Sequence, residues 1–173
     1  MKMIVFLFLM SLIVVSGCVS QDTVGSGDYV TVDYIGMYED GSVFDTSIEQ
    51  VAVDSGLYNP ARNYEPLGFF VGQGQMIEGF DEAVTGMAVG EEKTVTIPPE
   101  KAYGNYSEEL VVSLPSEDFA NANITPVVGE QVNYMWRACT IVEIAEGNVT
   151  LDCNHRLAGE TLVFTIQVVS IGE

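Results

Sequence analysis

The sequence predicts an α+β fold: an antiparallel sheet wrapped around one short helix, with a small β-rich segment ahead of the closing strand. Three observations lead there. In the stretch 69–104, FFVGQGQMIEGFDEAVTGMAVGEEKTVTIPPEKAYG, the apolar residues Ile77, Phe80, Val84 and Met87 recur at offsets of three, four and three, with Ala83 beside them. That spacing draws one apolar stripe over about two and a half helical turns. Elsewhere apolar side chains alternate with period two: Val30, Val32 and Tyr34 against Thr31 and Asp33, and Leu162, Phe164, Ile166 and Val168 near the end. Such alternation marks a half-buried strand. Glycine- and Asp-Gly-containing turns punctuate the runs. A helix this short is marginal in isolation, so its stripe must lie across a sheet.

Each element follows in order. Residues 29–35 make the first strand, and Glu39-Asp40-Gly41-Ser42 makes a hairpin turn, Asp-Gly being a strong turn dipeptide. The return strand begins at 43–45. The stretch 48–65, IEQVAVDSGLYNPARNYE, offers a short helix ended by Gly56 and a turn at Asn59-Pro60. Strand 69–71 leads through a glycine-rich turn into the helix, which Gly79 opens and Gly86 closes. Gly90 turns the chain back into strand 93–97, where Val95 and Ile97 alternate with threonines. After Ala102-Tyr103-Gly104 come ELVVSLP (109–115), the segment SEDFANAN, and β-rich runs separated by Gly129 and Glu146-Gly147. These runs read as a small antiparallel sheet. Residues from 162 onward close the first sheet.

Composition narrows the function. Six basic against twenty-five acidic residues give a net charge of −19. Such a surface repels nucleic acid, whose binding needs cationic patches, so nucleic acid is not an expected partner. The acid excess serves solubility first; recognition of basic clients is the sharper alternative. At the N-terminus, residues 3–15 are almost wholly apolar and Lys2 is the only charge before Cys18. The run is short for a bilayer span, which needs roughly 20 residues, and suits a signal-peptide core. Val-Ser-Gly-Cys, ending at Cys18, resembles the lipobox of prokaryotic secreted lipoproteins. The expectation is therefore a signal peptide over 1–18, lipidation of Cys18, a polar tether over 19–28 and an extracytoplasmic, membrane-anchored location. The alternative is an uncleaved signal anchor.

The words VGQGQMIEGFDEAVTGMAVGEEK and IPPEKAYG resemble those of the FKBP-type peptidyl-prolyl cis-trans isomerases. Upstream, VTVDYIGMYEDGSVFDTS is similar to that family's first motif, and LAGETLVFTIQVVSI to its last strand. Three motifs in the right order cover most of the chain after residue 28. The resemblance implies an isomerase domain made of 29–106 and 154–173, interrupted by a lobe over 107–153. That lobe resembles the insert-in-flap chaperone lobe of SlyD-type members, and Asn154-His155 followed by Leu157-Ala158-Gly159 resembles their re-entry into the isomerase part. The longer bulge at 48–65 resembles archaeal FKBPs of the long type. One histidine in the whole chain gives no support to the metal-binding tail that SlyD proteins carry, and neither cofactor nor metal is expected.

The chemistry implied is rotation about an X-Pro bond. Its barrier of roughly 20 kcal/mol comes from amide resonance, and no nucleophile or metal is required to lower it. A dry pocket that grips the proline ring and favours a twisted amide is sufficient. By resemblance, the catalytic positions are Tyr34, Asp45, Phe80 (the floor, where other members often carry Trp) and Tyr103. Phe44, Leu67, Met76, Ile77, Leu157, Ala158 and Phe164 are the substrate-binding positions. The backbone N–H of Ile77 and the hydroxyl of Tyr103 are candidate donors to a substrate carbonyl. Leu67 and Phe80 depart from the family's usual aromatics, which implies a shallower pocket. Taken singly, Phe80 and Phe164 would be core, Asp45 a solvated turn residue and Tyr103 loop packing; their joint placement in three motifs reverses that.

In the lobe, Val111, Val112, Leu114, Phe119, Met135 and Trp136 are either a private core or a client-binding face, for which surplus apolar surface and adaptable Met are suited. A three-residue loop at Ala145-Glu146-Gly147 would pair Ile144 with Asn148 and Cys139 with Cys153, which are then either bridged or reduced and packed. His155 is expected to be a structural hydrogen-bonder. Asn105, Asn123 and Asn148 each begin a glycosylation triplet. The expected activity is peptidyl-prolyl isomerisation by a monomer acting on unfolded or proline-containing polypeptides, assisted by the lobe. The alternative is a peptide-binding chaperone module with little turnover.

Overall fold

Strand β1 (Tyr29–Tyr38) is the strand on which the first sheet is built, in a computed structural model that describes residues 22–172. Val30, Val32 and Tyr34 all turn to the buried side. Along one edge β1 pairs with β2 (Val43–Thr46) through its second half and β3 (Leu67–Phe70) through its first. Along the other it pairs over its whole length with β9 (Leu162–Gly172), and β4 (Glu92–Ile97) lies beyond. Every pairing is antiparallel, and the order is β2-β1-β9-β4 with β3 beside β1. The inward residues of β9, Leu162, Phe164, Ile166 and Val168, share one buried cluster with those of β1.

Helix α2 (Glu78–Val84) packs its Phe80, Ala83 and Val84 into that cluster. It is shorter than the stripe suggested. Ile77 is extended and caps the helix, and Thr85 is extended again before Gly86 at φ +82°, so the helical turns stop at Val84. Met87 is buried in the same core from outside the helix. Gly79 lets α2 settle on β4, because a Cβ there would collide with Ile97 Cγ2.

The stretch expected as a polar tether is packed where it is described. Val24 is in the core, its N–H bonds Met87 O at 2.9 Å, and Gly86 N–H returns to Val24 O at 2.8 Å. Gly27 N–H to Val71 O at 2.9 Å and Val71 N–H to Asp28 O at 3.0 Å fasten its other end. Cys18 and the signal segment lie outside the described residues. Among the described residues no helix is long and apolar enough to cross a membrane.

Helix α1 (Glu49–Asp54), ended by Gly56 at φ +71°, occupies the first half of the bulge after β2. The second sheet has the order β5-β8-β7-β6, from β5 (Val111–Pro115), β6 (Gln131–Tyr134), β7 (Arg137–Ala145) and β8 (Asn148–Asp152). Across it lies α3 (Ser116–Asn121), whose Phe119 joins Cys139, Ile141, Val149 and Leu151 in a core of their own.

The β7–β8 turn corrects the expected three-residue loop. It has two central residues, Glu146 and Gly147, both at positive φ, and Ile144 therefore faces Val149. A bulge between Ile141 and Glu143 takes up the one-residue difference, so that Thr140 faces Asp152. Cys139 and Cys153, the next positions along, are joined in a disulfide.

Candidate active site

Glycine at position 36 begins the site. A Cβ there would lie 2.8 Å from the Phe44 ring and 3.0 Å from that of Phe164, so its absence lets these two rings meet over β1. Phe44 and Phe164 pack edge to face at 5.7 Å, and Phe164 meets Phe80 the same way at 5.3 Å. Phe80 in turn receives Tyr34 at 6.2 Å and Phe69 at 5.8 Å. Edge-to-face contacts of this kind add to the burial of each ring and fix its orientation.

Between this aromatic layer and the segment 74–78 lies a cavity of about 490 Å³. It is lined by Tyr34, Phe44, Asp45, Leu67, Met76, Ile77, Phe80, Tyr103 and Phe164, with Gly74, Gln75, Glu78 and Ala102 completing the wall. Nine residues singled out from the sequence thus converge. Leu157 and Ala158 do not line it. The turn after His155 tucks Leu157 into the core, and Ala158 N–H donates to His155 O at 2.8 Å.

A polar network closes one wall. The Tyr34 hydroxyl donates to Asp45 Oδ2 at 2.8 Å, and Thr46 N–H donates to Asp45 Oδ1 at 2.9 Å. Arg62 pairs with Asp45 Oδ1 and donates a second N–H to the Tyr34 hydroxyl at 3.1 Å. The guanidinium also lies over the Tyr64 ring, 5.3 Å from its centroid. Burial, then the hydrogen bond to Asp45 and its charge, push the Tyr34 hydroxyl up to about 12 against the pull of Arg62. Tyr34 is therefore a neutral donor at any physiological pH. The hydrogen bond that Arg62 gives Asp45 raises the guanidinium above its ordinary value.

Spacing did not single out Arg62, which sits in an irregular bulge. Its one signal was scarcity: in a chain with six basic residues it stands between two tyrosines, in YNPARNY. Of the other lining residues, Tyr103 lies flat against His155, and Ile77 stands just ahead of α2. The N–H of a capping residue precedes the helix's own hydrogen-bond ladder and can serve another acceptor. No cysteine, serine or histidine is among the lining residues. The arrangement can strip water from an apolar ring, hold it against aromatic faces and offer hydrogen bonds to a carbonyl. Among the described residues no three His, Cys, Asp or Glu side chains are grouped to hold a metal.

In the lobe, Phe119 is buried in the private core, while Val111 and Leu114 are half-buried and Val112 packs against that core. Met135 and Trp136 stand out in solvent, 74% and 103% exposed, at the two central positions of the β6–β7 turn.

The model of the FKBP-type peptidyl-prolyl cis-trans isomerases matches residues 20–169, and the chain belongs to that family. It is 54% identical over 142 residues to the short-type peptidyl-prolyl cis-trans isomerase of Methanocaldococcus jannaschii, covering 82% of this chain and 90% of that relative. It is 31% identical over 144 residues to the FKBP-type isomerase SlyD of Aeromonas hydrophila, covering 82% of this chain and 61% of SlyD. FK506-binding protein 2 of Yarrowia lipolytica matches about half of each chain, 40% identical over 86 residues. The first of these is named short-type, whereas the family resemblance as a whole was to the archaeal long type.

Proposed function

We propose that the aromatic cavity is the place where X-Pro bonds of polypeptide clients rotate between cis and trans. One observation carries this: a buried Phe80 floor and a rim of hydrogen-bond donors meet in a single 490 Å³ hollow. The proline ring rests on Phe80 between Phe44, Tyr34 and Phe164, where water is displaced. In the planar amide, resonance places charge on the carbonyl oxygen, and twisting the bond withdraws it. A low-polarity floor therefore favours the twisted form over the planar one. The Ile77 N–H and the Tyr103 hydroxyl take the carbonyls on either side and hold the peptide while its middle turns. Asp45, fixed by Tyr34 and Arg62, gives the wall a set polarity. Each tenfold in rate needs about 1.4 kcal/mol less barrier, a scale that desolvation and a few oriented bonds reach together.

The test is isomerisation of an Ala-Pro or Phe-Pro peptide followed without a coupling protease. Phe80→Ala and Asp45→Ala should each slow it by roughly tenfold or more in a folded protein. Wild-type rates in both variants would remove the cavity from the reaction, and an inactive wild type would leave a peptide-binding module.

We further propose that the inserted lobe holds unfolded clients, through the Met135–Trp136 tip. The exposure of those two side chains and the likeness to SlyD support this. We also propose a membrane-anchored monomer of the long type acting on extracytoplasmic clients; the apolar run at 3–15 and Cys18 support the anchor, and the second sheet set between Gly104 and Gly159 supports the insert-in-flap arrangement.

A further inference from the structure

Tyr103 reaches the cavity mouth from a loop and is 40% exposed, which by itself would leave its ring free to turn. It is not left so. Its ring lies on the imidazole of His155, centroids 3.9 Å apart and planes 7° apart. His155 belongs to the segment by which the chain returns from the second sheet to the first, and that segment is fixed on both sides. Ahead of it, Asn154 brackets Ser107: Oδ1 accepts the Ser107 N–H at 3.0 Å and Nδ2 donates to Ser107 O at 3.0 Å. One residue earlier, Cys153 donates its N–H to Leu110 O at 2.9 Å and is bridged to Cys139. Beyond it, Gly159 N–H donates to Gly104 O at 2.8 Å, next to Tyr103 itself.

The imidazole is oriented as well as located. Its Nδ1 accepts the N–H of Leu157 at 3.2 Å, and the Leu157 side chain is sunk in the core. Burial, then the neighbouring Arg156 charge, hold His155 below the ordinary imidazole range, which keeps that acceptor unprotonated at neutral pH. The platform under Tyr103 is thus held by hydrogen bonds on both sides and by its own ring nitrogen.

We infer that His155 is a positioning residue for the isomerase site: carried on the return path from the inserted lobe, it holds the Tyr103 ring at the mouth of the cavity. This rests on the reading of that cavity as the proline site. Pre-ordering a binding side chain removes an entropy cost from substrate binding, so the effect falls on KM rather than on kcat. His155 touches no reacting atom and acts through Tyr103 alone.

The experiment is a double-mutant cycle on the full chain with a short Xaa-Pro peptide, using His155→Ala, Tyr103→Ala and the pair. His155→Ala should raise KM roughly two- to tenfold, the span expected of one aromatic contact, with kcat held. His155→Phe, which keeps a flat ring, should restore it. On the Tyr103→Ala background His155→Ala should change nothing more, and in proton NMR the Tyr103 ring resonances should move to unstacked, random-coil positions in His155→Ala and remain displaced from them by a stacked ring in His155→Phe. Should His155→Ala lose its thermal transition, His155→Gln, with an acceptor but no ring, gives the same comparison. A wild-type KM in the folded variant, or an undiminished effect without Tyr103, would overturn the inference. A Tyr103→Ala protein with unchanged kcat/KM would instead bring down the reading of the cavity, and this one with it.

Discussion

Arg62 bonds the wall of the cavity from the irregular half of the bulge that follows α1, and its contacts define what the wall can do. It neutralises Asp45 and shares the Tyr34 hydroxyl with it. Both ends of the Arg62–Asp45 pair are more than a third exposed, so its worth to stability is small, under about 1 kcal/mol. Its worth to the site is geometric. Arg62→Ala should leave the melting temperature within a few degrees and lower kcat/KM on an Xaa-Pro peptide about threefold, a change of the size expected for one half-exposed charged contact. An unchanged kcat/KM would make Arg62 a surface residue only. The alkaline limb gives an independent check. The fold holds the Tyr34 proton more tightly than the unfolded chain does, its hydroxyl lying at about 12 against an ordinary 10.0. The stability this contributes is complete below about pH 10 and is lost as the pH climbs through about 12. Ultraviolet titration should find a tyrosine step near pH 12, above that of Tyr106, which burial and the hydrogen bond to Asp152 also raise, and Tyr34→Phe should abolish it.

At the scale of elements, the β6–β7 turn is the costliest piece of local structure described. Met135 and Trp136 take φ of 47° and 67°, a left-handed region that suits Asn and Gly, and both side chains project into water. Met135→Asn with Trp136→Gly should stabilise the lobe by about 1–2 kcal/mol, since each strained non-glycine residue costs of order 1 kcal/mol. The same change should abolish suppression of aggregation of a reduced, alkylated protein if the tip holds clients. Undiminished suppression would refute that role. Elements also show how much could be read in advance. Alternation placed Val30, Val32, Tyr34 and Phe164 on the inner face, because a strand's period admits two sides only. The helix stripe was legible too, yet Met87 matched its spacing from outside the helix, since a buried loop residue can continue a periodic pattern. Arg62, Leu157 and the turn at Glu146-Gly147 were not legible: each depends on how an irregular segment folds back, and periodicity carries no information there. His155 was read as structural; that it lies under Tyr103 is a contact between segments that only tertiary structure brings together.

At the scale of the molecule, two sheets with separate cores are strung on one chain of strongly acidic character. The second is closed by the Cys139–Cys153 bridge, fourteen residues apart in sequence; a closed loop of about that length stabilises by about 3 kcal/mol on the chain-entropy account. A disulfide in that core suits an oxidising compartment, in keeping with the proposed export. Expression of the full sequence should yield a membrane-fraction protein lacking Lys2, and Cys18→Ala should release it or leave its leader uncleaved. A Cys18→Ala protein still processed and still membrane-bound would refute lipid anchoring.

The bond from Gly159 to Gly104 has a bearing beyond the site. The chain departs and comes home at touching points, so for the first sheet all the intervening residues count as a single surface excursion. Closing an excursion costs little more when it is long than when it is short. A frame of this kind can carry appendages of many sizes without reordering a strand, since everything that is exchanged hangs from that one doorway.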